Sequence, residues 1–242
     1  MSSPSAPSDL ILAINAGSSS LKCALYMASS DNASSPSQLA EVEISGLTAP
    51  PAKLKYTRGD HKLKDQPVDD SVHDPPSAFG YVLKYLTEDE GLPQLKQKED
   101  LRYACHRIVH GGDYGKVQII DKSTYHHLEE LSDLAPLHNY TGLHIVRTVH
   151  EELPKAVNMA YFDSSFHATI PQHIRTYAID PKIANRNKLR KYGFHGISYA
   201  FIIKAVAEHL KKPLEKTNII ALHLGSGASV CAIKGGKSLD TS

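Results

Sequence analysis

Apolar residues along the chain fall mostly in short blocks, with helical spacing confined to a few stretches. Residues 10–14 are an unbroken apolar run, and 21–26 resume one. Between them lie Asn15-Ala16-Gly17-Ser18-Ser19-Ser20, a set of small and polar residues. This pattern predicts strand, tight turn, strand. Residues 28–38 predict a mobile loop and 39–47 another strand. Residues 48–76 are polar and rich in proline and charge, and predict only brief strands such as 53–57. At 76–90 the period changes. Phe79, Val82, Leu83 and Leu86 share one helical face, Pro75-Pro76 suit a first turn, and Gly91 suits a stop. Residues 101–109 predict a strand before Gly111-Gly112. Ser123 is placed to cap a helix bearing Leu128, Leu131 and Leu134 that stops near Pro136, and a second helix covers about 139–152. Residues 156–162 predict a buried strand, and Ser198 opens a helix with Ile202, Ile203, Val206 and Leu210 on its stripe. Finally, 217–224 and 228–233 predict a hairpin across Gly225-Ser226-Gly227. Strands first, then helices alternating with strands, define an α/β protein with a mixed sheet.

Composition narrows the class. The 242 residues are 41% apolar and 22% charged, as in a soluble globular protein of one large or two small domains. A formal charge of +1 gives no reason to expect nucleic acid or a membrane surface as partner. No apolar run is long enough to span a bilayer. The start, MSSPSAPSD, lacks both the cationic end and the apolar core of a secretory signal, and lacks the arginines of a transit peptide. It predicts a flexible tail over 1–9. Cys23, Cys105 and Cys231 are odd in number, far apart and in apolar surroundings, which reads as buried reduced thiols in a cytoplasmic protein.

Five places carry candidate chemistry. The 15–22 turn is not a Walker loop, since Lys22 sits on the outgoing strand. Small residues there can still bring N–H groups, the Ser18 and Ser20 hydroxyls and the Lys22 charge near phosphate, with the Asn15 carbonyl turned to a metal or its water; the plain alternative is a polar hairpin turn. The turn in "HLGSGAS" (223–229) has the same character, and two such turns suggest two sides of a phosphate clamp. Arg107, with His106 and His110 at a strand end, can grip a carboxylate or phosphate through two parallel bonds, or simply be neutralised by a nearby carboxylate. Asp163 ends a strand, where ligands bind in open α/β sheets. It can hold Mg²⁺, orient an acceptor, or cap a helix. Among 14 histidines, His138 and His195 stand at element junctions beside small residues, and neither belongs to a zinc pattern. Such a histidine can donate to developing negative charge.

Taken together, "NAGSSSLK" (15–22), "HRIVHGG" (106–112), "LAPLHN" (134–139), "FDSSFH" (162–167), "YGFHGIS" (192–198) and "HLGSGASVCAIKGGKSLDTS" (223–242) resemble the acetate kinase family in order and approximate spacing. The resemblance implies reversible transfer of the ATP γ-phosphoryl to acetate, giving acetyl phosphate and ADP, with Mg²⁺. It implies the ribonuclease H-like, duplicated actin-like ATPase architecture: a first domain over 10–165, an incomplete second over 166–242, and a homodimer. It also assigns roles. Asn15, Ser18, Ser20 and Lys22 would face phosphates and Mg²⁺, as would His223, Gly225, Ser226 and Gly227 on the second turn. Arg107 would hold the acetate carboxylate and then the phosphoryl. Asp163 would position metal or acceptor, His195 would stabilise the phosphoryl in flight, and His138 would support it. Val109, Leu137 and Phe194 would surround the acetate methyl. Propionate or butyrate as acceptor, pyrophosphate as donor, and a non-catalytic binding module remain the alternatives.

Three positions depart from that pattern. Ser226 stands where many members have asparagine, and Tyr199 where many have histidine. The sequence also stops at "SLDTS", ahead of the segments that carry the family's second arginine, adenosine pocket and metal-side glutamate. The 242 residues by themselves are therefore expected to be weakly active or inactive and to expose an apolar face.

Overall fold

A computed structural model describes residues 8–29, 35–131, 136–225 and 227–242, with the side chains of 136–138 outside the description. The chain divides into two compact units: residues up to Arg107 with Gln118–Ala160, and Ile108–Val117 with Tyr161–Ser242.

In the first unit, β1 (Ser8–Ala16), β2 (Ser20–Ser29), β3 (Ser37–Ser45), β4 (Lys53–Arg58) and β5 (His61–Pro67) form an antiparallel run. Helix α1 (Pro75–Thr87) follows, then β6 (Leu101–Ile108), β7 (Gln118–Ile119), α2 (Lys122–Leu131), α3 (Pro136–Glu152) and β8 (Val157–Phe162). The eight strands are ordered β5-β4-β3-β2-β1-β6-β8-β7, with β6 parallel to β1. One face is apolar by strict alternation: Leu10, Leu12 and Ile14 on β1, Leu21, Cys23 and Leu25 on β2, Val42 and Ile44 on β3, all buried where α1 and α3 cover the sheet. Each of the fully buried leucines contributes roughly 2 kcal/mol by leaving water. Burial pushes the Cys23 thiol up to about 12, so it is an inert packing residue.

The second unit continues with a 3₁₀ turn at Ser165–Thr169, the short helices α4 (Gln172–Arg175) and α5 (Pro181–Arg186), and the longer α6 (Gly196–His209). Strands β9 (Ile219–Leu224), β10 (Ala228–Lys234) and β11 (Lys237–Thr241) close it as an antiparallel sheet in the order β11-β10-β9. Helix α6 packs Tyr199 and Ile203 onto Ala221, Cys231 and Ile233. The other face of β9 presents Ile220, Leu222 and Leu224, each more than half exposed. This is the kind of uncovered apolar face the sequence led us to expect.

Several boundaries differ from the sequence expectation. Ser8 and Asp9 already pair with Ser29 and Ala28, so the strand starts inside the expected tail, whose first seven residues lie outside the described ones. The expected loop 28–38 is strand at both ends, and 30–34 lie outside the description. Asp121, not Ser123, caps α2: its Oδ1 accepts the Thr124 N–H at 2.7 Å. Leu134 lies outside the described residues. Helix α6 begins at Gly196 rather than Ser198, with His195 as its N-cap residue. The segment 163–195, to which the sequence pattern assigned no element, holds only short helical turns.

Candidate active site

In the first unit, register builds the candidate cluster. Asn15 pairs with Lys22, Lys22 with Glu43, and Glu43 with Lys55, and all four lie on the face opposite the apolar core. Because β6 runs parallel to β1 with Ile14 opposite His106, the next residue, Arg107, falls beside Asn15. Its Nη1 donates to Asn15 Oδ1 at 3.1 Å. The turn between β1 and β2 is closed by Gly17 N–H donating to the Ser20 carbonyl at 2.8 Å, and the Ser19 carbonyl accepts the Leu47 N–H at 3.1 Å. Ser18 is exposed and Ser20 half-buried. The structure thus brings Asn15, Ser18, Ser20, Lys22 and Arg107 to one end of β1, β2 and β6. Two details differ from expectation. Lys22 Nζ lies 3.3 Å from Glu43 Oε1, so its ammonium is shared with a carboxylate. The Asn15 amide oxygen faces a guanidinium, which suits orienting Arg107 better than binding a cation.

In the second unit, Asp163 follows β8 directly and is almost wholly buried. Its N–H donates to the Ile108 carbonyl at 3.1 Å, and its own carbonyl accepts the Gly196 N–H at 2.9 Å. That bond pins the backbone of Asp163 to Gly196, the residue that follows His195. His195 has φ 57° and ψ 20°, the left-handed region that a non-glycine residue adopts at a cost of about 1 kcal/mol or more. The bend is held from behind by His167, which is buried. Nε2 of His167 donates to the Phe194 carbonyl at 2.9 Å, so its Nδ1 accepts from Ser238 Oγ at 2.8 Å. Burial, above all, keeps the His167 imidazole below its ordinary pKa and therefore neutral.

The His195 ring stacks on His223 with centroids 4.0 Å apart and planes 18° from parallel. Nδ1 of each ring meets a serine hydroxyl: Ser229 Oγ at 2.7 Å from His195, and Ser198 Oγ at 3.0 Å from His223. The opposite edges approach the bend between β9 and β10. A Cβ on Gly227 would lie 3.6 Å from His195 Nε2, and one on Gly225 3.8 Å from His223 Nε2. Ser226, between them, lies outside the described residues.

His110 is buried and neutral, its pKa lowered chiefly by burial and then by Arg190. Its Nδ1 accepts the Gly112 N–H at 2.9 Å, and its ring packs 4.4 Å from Tyr192 and 5.5 Å from Phe194. Val109 and Phe194 are both half-buried in this unit. A polar cavity of about 190 Å³ has Gly112, Asp113, Ser164, Arg175, Arg190 and Tyr192 among its lining residues. Leu137 and His138 lie on the α3 backbone, but their side chains are outside the description. Sequence reasoning gave no role to His167, Ser229 or Tyr199. His167 ends a quoted motif, yet nothing local separates it from the other histidines. Ser229 carries no signal beyond being a serine after a turn.

Similarity to solved structures defines the class. The crystal structure of Porphyromonas gingivalis acetate kinase matches with a TM-score of 0.79 at 32% identity, over 97% of this chain and 57% of that one. A Francisella tularensis propionate kinase matches with a TM-score of 0.81 at 31% identity, with the same coverage. The fold is therefore that of the actin-like ATPases. A Chaetomium globosum protein named probable acetate kinase is 59% identical over 234 residues, which are 96% of this chain and 50% of that protein. The acetokinase family model matches residues 10–242, and the chain belongs to the acetokinase family. It spans about half the length of the relatives it matches.

Proposed function

We propose that this chain is the phosphoryl-transferring portion of an acetate kinase, which moves the ATP γ-phosphoryl directly to acetate and back. The observation that carries the reading is the Asp163–Gly196 bond. It sets the backbone of a buried aspartate at a strand end against the residue that follows a histidine held in the left-handed region, in a member of the acetokinase family.

The chemistry needs little covalent help from protein. In-line phosphoryl transfer is accelerated by positioning and by stabilising charge on the equatorial oxygens. Acetate is already a carboxylate at neutral pH, so no strong base is required. The difficulty is bringing two anions together. Arg107, oriented by Asn15, grips the acetate carboxylate with its guanidinium fork. His195 and His223 offer imidazole edges at the Gly225–Gly227 bend, suited to donating to phosphoryl oxygens. Lys22 can exchange Glu43 for a nucleotide phosphate at small cost, since an exposed pair contributes below about 1 kcal/mol. Phe194 and Val109 supply apolar surface for the methyl group.

Among the described residues no three histidine, cysteine or acidic side chains converge as a metal cage. A single buried aspartate such as Asp163 fits Mg²⁺ nonetheless as one of several donors, because this ion keeps most of its waters and shares the substrate phosphates. When bound, the ion would neutralise phosphate charge. Asn15 is the weaker candidate, its oxygen being directed at Arg107. We place the protein in the cytosol and as a homodimer at full length.

A second acceptor class, propionate, is favoured by the likeness to the Francisella propionate kinase. The polypeptide at the full length its reading frame encodes should form acetyl phosphate from acetate and MgATP, trapped as acetyl hydroxamate. Rates on acetate, propionate and butyrate rank the acceptors. No hydroxamate from acetate would overturn the assignment.

A further inference from the structure

Tyr199 occupies the centre of the second unit's core. It is fully buried among Ile203, Ala221, Cys231 and Ile233, yet it carries a hydroxyl. Among the described residues that hydroxyl meets one hydrogen-bonding partner, Ser229 Oγ at 2.6 Å. The same Oγ lies 2.7 Å from His195 Nδ1. Three polar atoms thus stand in line, and the protons can be counted. A buried phenol that fails to donate leaves its proton unsatisfied, so Tyr199 donates to Ser229 Oγ. The serine proton then has His195 Nδ1 as its acceptor. An Nδ1 that accepts carries no proton, and the ring's proton sits on Nε2.

We propose that Tyr199 and Ser229 are positioning residues for His195, a two-hydroxyl relay that turns Nδ1 into an acceptor and directs the ring's N–H to Nε2, on the edge beside Gly227. The proposal builds on the assignment of His195 to phosphoryl transfer. The relay explains why a phenol suits position 199: it reaches from the core to the serine with a proton to give and little need to accept. Other groups near His195 include the stacked His223, itself tied to Ser198 through Nδ1, and His167.

The test is a long-range ¹H–¹⁵N spectrum of the full-length polypeptide with ring-¹⁵N histidine near neutral pH, the His195 signals being assigned by their loss in His195→Asn. We expect the pattern of a ring protonated at Nε2. In Tyr199→Phe the serine is released to accept from Nδ1–H, and the second tautomer should appear. Ser229→Ala should do the same, and adding Tyr199→Phe to it should change nothing more. With acetate and MgATP, kcat of Tyr199→Phe should fall on the order of tenfold while KM for acetate holds. A wild-type ring protonated at Nδ1 overturns the relay whether or not the variants fold. So does a Tyr199→Phe ring that stays wholly Nε2-protonated. An unchanged kcat overturns the positioning role. A wild-type protein with the Nε2–H ring but no kinase activity would leave the relay standing and remove the functional reading on which its purpose rests.

Discussion

Gly196 donates its backbone N–H to the Asp163 carbonyl at 2.9 Å, and a Cβ on Gly196 would lie 2.1 Å from that same oxygen. The glycine is therefore required by close approach, since no side chain fits between the two backbones. Gly196→Ala should force apart the two backbone segments that carry Asp163 and His195. We expect the rate of acetyl hydroxamate formation to drop on the order of 10²-fold, as for small displacements of reacting groups. Initial rates and a thermal melt check it, and an unchanged rate would show the contact to be incidental.

His106 should make stability depend on pH. It is buried, donates from Nε2 to Asn158 Oδ1 at 2.8 Å, and has no partner at Nδ1 among the described residues. Burial lowers its pKa to about 4 from 6.5. The unfolded chain takes up the proton first as pH falls. Stability is thus fully present above 6.5, declines between 6.5 and 4, and loses about 3 kcal/mol across that window. Urea midpoints at neutral and acid pH measure this. In His106→Gln the slope over the same window should flatten, and an equal slope would assign it to other groups.

Glu43 and Lys22 separate stability from function. Their pair is partly exposed at 3.3 Å, so Glu43→Gln should leave the melting temperature nearly unchanged. Lys22→Ala should raise KM for MgATP on the order of tenfold, the worth of one charge-assisted bond. Steady-state kinetics check it, and an unaltered KM would confine Lys22 to the sheet surface.

Gly111 faces Phe162, whose Cγ would lie 2.4 Å from an added Cβ. Phe162 is fully buried and also stacks on Tyr114 at 5.6 Å. Gly111→Ala should cost about 1–3 kcal/mol through overpacking, read as a lower melting temperature. No loss would mean that Phe162 relocates freely.

Much of this was legible in the sequence wherever one residue type had one reason to be there. Short apolar runs placed β1, β2 and β3, and helical spacing placed α1 and α3 to within a few residues. The Gly/Ser turns at 15–20 and 225–229 are hairpin bends, with Lys22 on the outgoing strand. What stayed hidden depends on partners distant along the chain. That Lys22 meets Glu43 follows from cross-strand register, which no local window contains. The His195–Ser229–Tyr199 line joins residues some thirty positions apart. The short turns between 163 and 195 follow side-chain and backbone bonds, such as those of His167 to Phe194 and Ser238, rather than any apolar period.

The most direct measurement of the central claim is the reverse reaction followed by ³¹P NMR. Full-length polypeptide is given acetyl phosphate and MgADP, and wild type is compared with His195→Ala. The expected result is growth of the ATP γ-phosphoryl signal with wild type and a rate at least 10²-fold lower with the variant. Equal rates for the two proteins, or no ATP from the wild type, would contradict the account.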